Sequence, residues 1–423
     1  MQSLWLSLVF SAAVVLTVLL KFWLATRQMR HVAAHRGAVP TAFAATVSLD
    51  THQKAADYTV VRARFGLVTL AFGTALLLGW TLLGGLETLN ALVRDAVQPR
   101  WGDMAYQLLL LTAFVLIGSL LDAPLDLYNI FHIEQRFGFN RTTLRLDLID
   151  AAKGLLVGAL IGLPLAALVL WLMASAGAWW WLWAWAAWVA FQLLVLMLYP
   201  TVIAPLFNKF EPLPDEALKQ RVQNLMTRCG FAAKGLFVMD GSRRSAHSNA
   251  YFTGLGAAKR VVFYDTLLKR LSPGEVEAVL AHELGHFKLR HVPKRMLTIF
   301  AMSLAALALL GWLTQQQWFY SGLGVTPNLA APNGALALLL FLLALPPFGF
   351  LLVPLSSRVS RRHEFEADAY ACEQASGRDL ANALLKLHED NAGTLTPDPL
   401  YVGFYYSHPP ASERLAALKM EPA

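Results

Sequence analysis

Apolar residues in this chain are gathered into long runs that polar segments separate. Seven runs are long enough for a helix to cross the hydrocarbon core of a bilayer, which is roughly 30 Å thick. We place the spans at residues 4–25, 66–89, 106–127, 155–173, 178–199, 296–313 and 335–355. Hydrophobic residues make up 56% of the 423 residues, which is too apolar for an ordinary soluble protein. The pattern predicts a mainly α-helical, polytopic membrane protein.

The positive charges indicate how these spans are oriented. Segments 27–64, 136–153 and 209–295 and the C-terminal tail carry nearly all the Lys and Arg, whereas 315–333 has no charged residue. By the positive-inside rule the charged segments are cytoplasmic. The net charge of +7 therefore reflects topology, and with no basic, aromatic-interleaved motif we expect no nucleic-acid partner. We expect a bacterial inner membrane or an endoplasmic reticulum type membrane, with any active site on the cytoplasmic side.

The longest polar segment, 209–295, predicts a small folded unit outside the membrane. Helical periodicity covers 215–229, and strand-like patterns follow at 235–239, 250–253 and 260–264. A loop that contains Gly254 and Gly256 joins the last two strands. The segment 249–252 is a candidate edge strand that could hold an extended peptide, although an ordinary structural strand fits it equally well.

A His-Glu-x-x-His motif, His282 to His286, follows this sheet. Ser272, Pro273 and Glu275 form a helix-start signal with a capping box, which places the motif in the third turn of a helix. Two histidines four residues apart share a helical face and can bind one zinc ion, with Glu283 beside them as a base. A catalytic zinc site also needs a third protein ligand.

Several third ligands can be compared. The metzincin pattern requires His at position 292, where the chain has Val292, and we interpret His291 as a surface residue on another face. On a predicted helix downstream, Glu364 and Asp368 are four residues apart and share a face. We therefore predict Glu364 as the third ligand and Asp368 as the acceptor that orients a ligating histidine. The competing assignment uses Glu366 as the ligand with His363 nearby.

These motifs resemble those of the type I zinc-dependent CAAX prenyl proteases. The resemblance rests on His282 to His286, Ser360-Arg361-Arg362 with Glu364, and Ala367-Asp368. Further matches, in chain order, are Phe137-Gly138-Phe139-Asn140, Pro205 to Phe210, His247 to Phe252, His408-Pro409-Pro410 and Glu413-Arg414-Leu415. The resemblance covers nearly the whole chain.

The resemblance implies a ring of seven transmembrane helices around a large water-filled chamber, with a zincin-like metallopeptidase domain that carries a small β-sheet. It implies that Glu364 is the third ligand, that Asn249 and Ala250 line the substrate groove, and that His408 faces the scissile carbonyl. We divide the chain into spans one to five (1–205), a metallopeptidase region (206–295), spans six and seven (296–356) and a C-terminal metallopeptidase region (357–423).

We therefore expect an integral membrane zinc metalloendopeptidase with one Zn²⁺ per chain. Glu283 acts as the general base, while His408 and Arg414 stabilise the oxyanion or contact substrate. Its partners would be the lipid bilayer and a peptide or protein substrate, with or without a prenyl group, and we expect a monomer. The alternatives are a membrane-protein quality-control zinc peptidase and, more distantly, a transporter with a structural zinc site closed by four protein ligands.

Overall fold

The computed structural model describes residues 1–231, 235–253, 260–327 and 332–418. Within these residues seven helical segments are long and apolar enough to cross a membrane, which confirms the predicted number. The helices of the first half are α1 (Gln2–Ala34), α2 (Leu49–Trp80), α3 (Gly85–Tyr128), α4 (Gln135–Phe137), α5 (Leu144–Ser175), α6 (Trp180–Leu198) and α7 (Ala204–Phe207). Apart from the two short helices α4 and α7, each of these contains one span.

The second half alternates a compact unit with the last two spans. Its helices are α8 (Glu216–Arg228), α9 (Asp265–Arg270), α10 (Pro273–Lys288), α11 (His291–Leu313), α12 (Gln317–Gly322), α13 (Gly334–Gly349), α14 (Val353–Gln374), α15 (Gly377–Asp390), α16 (Pro399–Tyr405) and α17 (Ala411–Ala417). Spans six and seven are α11 and α13, and α14 continues the last span out to Gln374.

The second span ends earlier than the sequence pattern predicts. The predicted span was 66–89, but α2 stops at Trp80 and α3 begins at Gly85. Gly84 adopts a φ of +80°, and a Cβ on Gly85 would lie 2.6 Å from the Gly79 carbonyl oxygen. The chain can turn here because glycine permits both the left-handed backbone and the close approach. The apolar residues on either side hide this turn from a hydropathy pattern.

An interior space lies between α1, α2 and α13. In the apolar 18-residue stretch of α2 no residue is buried, whereas 39% of the residues in the corresponding stretch of the last span are buried. A core formed by Phe10, Leu86 and Leu340 joins α1, α3 and α13 at one end of the bundle. Beyond this core lies a cavity of about 740 Å³ that extends from Val14 to Tyr405 of α16.

The segment after span five folds around a mixed four-stranded sheet. The strands are β1 (Phe210–Pro212), β2 (Leu236–Met239), β3 (Ala250–Thr253) and β4 (Arg260–Tyr264), in the spatial order β1-β2-β4-β3. The parallel pair is β2 with β4, and the other pairs are antiparallel. The three predicted strands are present, and β1 was missed because three residues that include a proline show no alternation. The predicted loop with Gly254 and Gly256 lies outside the described residues.

One hydrophobic core holds the sheet against the motif helix. Val222 of α8, Phe263 of β4 and Leu280 of α10 are fully buried in it. Ala371 of α14 and Leu380 of α15 belong to the same core, so the C-terminal segment completes the unit that the sheet begins. Segments 206–295 and 357–423 are therefore folded together although spans six and seven separate them in the sequence.

Candidate metal centre and its surroundings

The motif helix begins as the sequence predicts. The Ser272 side chain accepts a hydrogen bond from the Glu275 backbone N–H, and the Glu275 carboxylate accepts one from the Ser272 N–H. This capping box sets the start of α10, so His282 and His286 follow at fixed turns of the helix. Their Nε2 atoms lie 3.3 Å apart.

Glu364 reaches the two histidines because α10 and α14 pack unusually closely. Gly285 faces Ala367, and a Cβ on Gly285 would lie 3.0 Å from Ala367 Cα. Glu364 Oε1 lies 3.4 Å from His286 Nε2, and Glu364 Oε2 lies 3.5 Å from His282 Nε2. One donor atom from each of these residues falls within 4.8 Å of the others. The helix crossing thus brings together the three predicted ligands.

The chemistry of this cluster fits a divalent metal ion. Glu364 is 4% exposed, and its Oε2 atom has no hydrogen-bond partner among the described residues. A buried carboxylate oxygen without a donor is costly unless a cation satisfies it. Two imidazoles and one carboxylate are the donor set of many catalytic zinc sites.

Asp368 lies behind His282, where we predicted it. His282 Nδ1 donates to Asp368 Oδ1 at 2.8 Å, which leaves Nε2 free to bind a metal ion. Burial lowers the pKa of His282, but the adjacent carboxylates of Asp368 and Glu364 outweigh burial and raise the pKa to about 9. The same two carboxylates would stabilise a metal cation.

Arg414 of α17 is buried against Asp368. Its Nε donates to Asp368 Oδ2 at 2.8 Å, and its Nη2 donates to Asp368 Oδ1. Only 8% of Arg414 is exposed, and its Nη1 lies 3.8 Å from Glu364 Oε2. The guanidinium therefore neutralises and holds the carboxylate that orients His282.

His291 was expected at the surface, and this expectation is wrong. His291 is 3% exposed because it starts α11 immediately after a left-handed residue, Arg290, which turns it back towards α10. Its Nδ1 lies 3.0 Å from His286 Nδ1, and its Nε2 lies 3.0 Å from Glu366 Oε2. Glu366 and His363 therefore belong to a cluster around His291 and are not part of the predicted three-ligand set.

These contacts determine which nitrogens carry protons. When His286 uses Nε2 for a metal, its proton is on Nδ1, so His291 Nδ1 must accept. His291 Nε2 then carries a proton that it donates to Glu366. The sequence did not predict this series of hydrogen bonds, because it depends on the turn at Arg290. The only signal was a third histidine, His291, five residues after His286.

Glu283 is beside the three candidate ligands. Its side chain is half-buried and makes no hydrogen bond to a described residue. Burial raises the pKa of Glu283, while the adjacent His282 and His286 oppose that shift. The carboxylate is therefore placed to exchange a proton with water or substrate.

His408 approaches the cluster from the segment between α16 and α17. Its Nε2 lies 3.5 Å from Glu364 Oε1, and 66% of its side chain is exposed. Arg361 of α14 fixes the start of this segment by donating to the carbonyl oxygens of Val402 and Tyr406, at 2.9 and 2.8 Å. His408 Nδ1 is 3.0 Å from the Ser407 hydroxyl, which can donate to it and leave a proton on Nε2.

Ala250 is the first residue of the edge strand β3, which contacts α10, and Asn249 directly precedes it. The Tyr264 N–H donates to the Asn249 carbonyl, so residues 249, 251 and 253 direct their backbone groups at β4. The backbone N–H and C=O groups of Ala250 and Phe252 consequently point to the side of β3 that is opposite β4. The Asn249 side chain accepts from the Ala250 N–H at 2.8 Å.

Comparisons with known proteins agree with this architecture. Residues 28–209 match the model of the CAAX prenyl protease N-terminal region with five membrane helices, and residues 212–421 match peptidase family M48. The CAAX prenyl protease 1 homologue of Arabidopsis thaliana is 34% identical over 90% of this chain and 91% of its own length. CAAX prenyl protease 1 of Saccharomyces cerevisiae is 32% identical, over 87% of this chain and 86% of its own.

A solved structure is similar over almost the whole fold. The crystal structure of S. mikatae Ste24p superposes with a TM-score of 0.90 at 31% identity and covers 98% of each chain. The seven candidate membrane helices, the four-stranded sheet and the cluster of His282, His286 and Glu364 fit a membrane metallopeptidase. The chain belongs to peptidase family M48, among the CAAX prenyl protease 1 relatives, and is a multi-pass membrane metallopeptidase.

Proposed function

We propose that this enzyme is a zinc metalloendopeptidase whose single catalytic zinc is held by His282, His286 and Glu364. The observation that carries the proposal is the convergence of these three donors, together with a Glu364 Oε2 atom that has no hydrogen-bond partner among the described residues. Three protein ligands leave a coordination position open, which distinguishes a catalytic site from a structural one. We also propose that the protein is a monomer. Its site would face the cytoplasm, because the segments that build the site are rich in Lys and Arg.

Glu283 is the general base of this mechanism. When bound, zinc supplies a Lewis acid that polarises the scissile carbonyl and acidifies water. The Glu283 carboxylate takes a proton from the attacking water and later delivers it to the leaving amine. Its raised pKa favours this exchange, because a base that holds the proton too weakly cannot return it as an acid.

His408 is our candidate for stabilising the oxyanion. Its exposed ring can donate from Nε2 towards the space in front of Glu364. A donor in this position is commonly worth about 3 kcal/mol of transition-state stabilisation. The predicted contact of Arg414 with substrate or oxyanion stays a prediction. Because its guanidinium is hydrogen-bonded to Asp368, we also assign Arg414 to positioning His282 through that carboxylate.

The substrate main chain would pair with β3. The outward backbone groups of Ala250 and Phe252 can bind an extended peptide as an additional strand, with alternate side chains directed to either face. The Asn249 side chain occupies the Ala250 N–H and must rotate away when a peptide binds. Ala250 would thus bind substrate through its backbone, and Asn249 would act through the side chain that covers the Ala250 N–H.

The relatives' names point to a prenylated substrate. Curated relatives are named CAAX prenyl protease 1, and we propose that this chain also removes C-terminal residues after a prenylated cysteine. The cavity of about 740 Å³ offers apolar walls, with Val14, Leu70 and Leu77 among its lining residues. An isoprenyl group has the size and polarity to lie against such walls.

Two experiments test this function. In the first, Glu283→Gln should keep bound zinc, because Glu283 is not a ligand, and should abolish peptide cleavage. Cleavage that persists would remove Glu283 from the mechanism. In the second, matched peptides with and without a farnesyl cysteine are compared, and the cleavage sites are mapped by mass spectrometry. Equal rates would show a peptidase without a prenyl requirement, as expected of a quality-control protease.

A further inference from the structure

A second group of metal-binding side chains lies next to the candidate zinc centre. His291, His363 and Glu366 each offer one donor atom within 4.8 Å of the other two. The rings of His291 and His363 are stacked, with centroids 4.0 Å apart and planes inclined by 9°. Glu366 and His363 are separated by nearly one turn of α14, and His291 comes from the start of α11.

We propose that His291, His363 and Glu366 form a second site for a divalent transition-metal ion. The donor set is again two imidazoles and one carboxylate, which suits Zn²⁺, Co²⁺ or Ni²⁺ better than the oxygen-seeking Mg²⁺ and Ca²⁺. His291 is buried and fixed, whereas His363 and Glu366 are partly exposed. An ion can therefore enter from solvent on the side of His363.

This site should bind more weakly than the zinc centre. The Glu366 carboxylate already has two partners: Arg362 Nε at 2.8 Å from Oε1, and His291 Nε2 at 3.0 Å from Oε2. An ion must displace the proton on His291 Nε2 and bind near the Arg362 guanidinium. The cationic neighbour and the lost hydrogen bond both reduce affinity, so the second site fills only after the first.

Occupation of the second site should also weaken the first. This step depends on the proposed function, because it requires zinc on His286 Nε2. Only one proton fits between His286 Nδ1 and His291 Nδ1, which are 3.0 Å apart. An imidazole that binds a metal through Nε2 normally keeps its proton on Nδ1. Two bound ions would therefore compete for one proton, and each should lower the affinity of the other.

The test counts metal ions on the full-length protein in detergent. Equilibrium dialysis against rising Zn²⁺ or Co²⁺, with elemental analysis, should give two ions per wild-type chain and one per His363→Phe chain. Phenylalanine preserves the stack on His291 and removes only the donor. His35→Phe is the matched control, since the His35 ring also lies against a histidine ring, with centroids 4.4 Å apart and planes inclined by 34°, and should leave the count at two. Glu366→Gln should also give one.

The outcomes separate this proposal from the proposed function. A wild-type chain that never exceeds one ion, with that ion lost in Glu364→Gln, would overturn the second site and leave the zinc centre intact. Two ions on His363→Phe would also overturn it. One ion on wild type that disappears in His363→Phe would support the second site and contradict the zinc centre.

A second measurement examines the coupling. Filling the second site of wild type should accelerate the release of the tightly bound zinc by about tenfold, a usual size for coupling between sites. Zinc release from His363→Phe should not respond to added Co²⁺. Equal acceleration in both proteins would overturn the coupling through the shared proton.

Discussion

Gly285 of α10 approaches α14 so closely that a Cβ at this position would lie 3.0 Å from the Cα atom of Ala367. Because this contact sets the distance between Glu364 and the two histidines, we expect Gly285→Ala to separate the helices and weaken zinc binding. Overpacking of this kind costs about 1–3 kcal/mol, more than alanine gains in helix propensity. Thermal unfolding and zinc titration measure the two effects.

Gly73→Ala provides the control for this substitution. Gly73 lies inside α2, and a Cβ there would meet nothing within 4 Å. That variant should be neutral or slightly more stable. If Gly285→Ala behaves in the same way, the close packing of α10 on α14 does not determine the geometry of the centre.

The Asp368 carboxylate should govern zinc affinity through His282. Asp368→Asn replaces the carboxylate that accepts the hydrogen bond from His282 Nδ1–H with a neutral amide. The affinity for zinc should therefore fall about 10- to 100-fold. Chelator competition measures this change. An unaltered dissociation constant would show that Asp368 does not orient the ligand.

The same substitution should destabilise the fold through Arg414. A buried guanidinium without its carboxylate costs about 3–5 kcal/mol, and Arg414 is 8% exposed. The double variant Asp368→Asn with Arg414→Met should recover much of the stability without recovering zinc affinity. Recovery of both together would mean that Asp368 acts only by holding α17 in place.

The imidazole of His291 should support His286 in an analogous way. His291→Phe leaves the His286 Nδ1–H without its acceptor, so zinc affinity should fall about tenfold. Arg362→Gln is the control, because 81% of the Arg362 side chain is exposed and it contacts only Glu366 in this network. A similar loss of zinc affinity in both variants would show that the loss comes from a general change of charge and not from the hydrogen bond between His291 and His286.

If the substrate pairs with β3, the effect of N-methylation on KM should alternate from one substrate residue to the next. N-methylation of a substrate residue whose N–H pairs with the outward carbonyl of Ala250 or Phe252 should raise KM about 3- to 10-fold, the value of one hydrogen bond. Methylation of the residues between them should change KM little. A series of methylated peptides measures this pattern. A uniform effect along the peptide would exclude pairing with the edge strand.

The sequence predicted the parts of the site that depend on local periodicity. His282 and His286 share a face because they are four residues apart in a capped helix, and Glu364 and Asp368 share a face for the same reason. The number of spans followed from the length of the apolar runs. Each of these inferences needs only the pitch of one helix.

The remaining features depend on how elements approach one another. His291 is buried because Arg290 adopts a left-handed conformation, and the residue type at 290 gives no sign of this. Arg414 meets Asp368 only because α17 packs beside α14. The turn after Trp80 lies within a continuous apolar run, so its signal was only the pair Gly84-Gly85. Tertiary contacts of this kind cannot be derived from spacing along the chain.

A change in the tilt of the last span would displace Glu364, because α14 continues that span and carries this residue. Glu364 lies about 16 Å along the helix from Val353, at 1.5 Å per residue, so a tilt of about 5° displaces it by about 1.4 Å. Catalytic constellations tolerate errors of only about 0.5 Å. Because a span accommodates a change of bilayer thickness partly by tilting, we expect the peptidase rate to change with the thickness of the membrane.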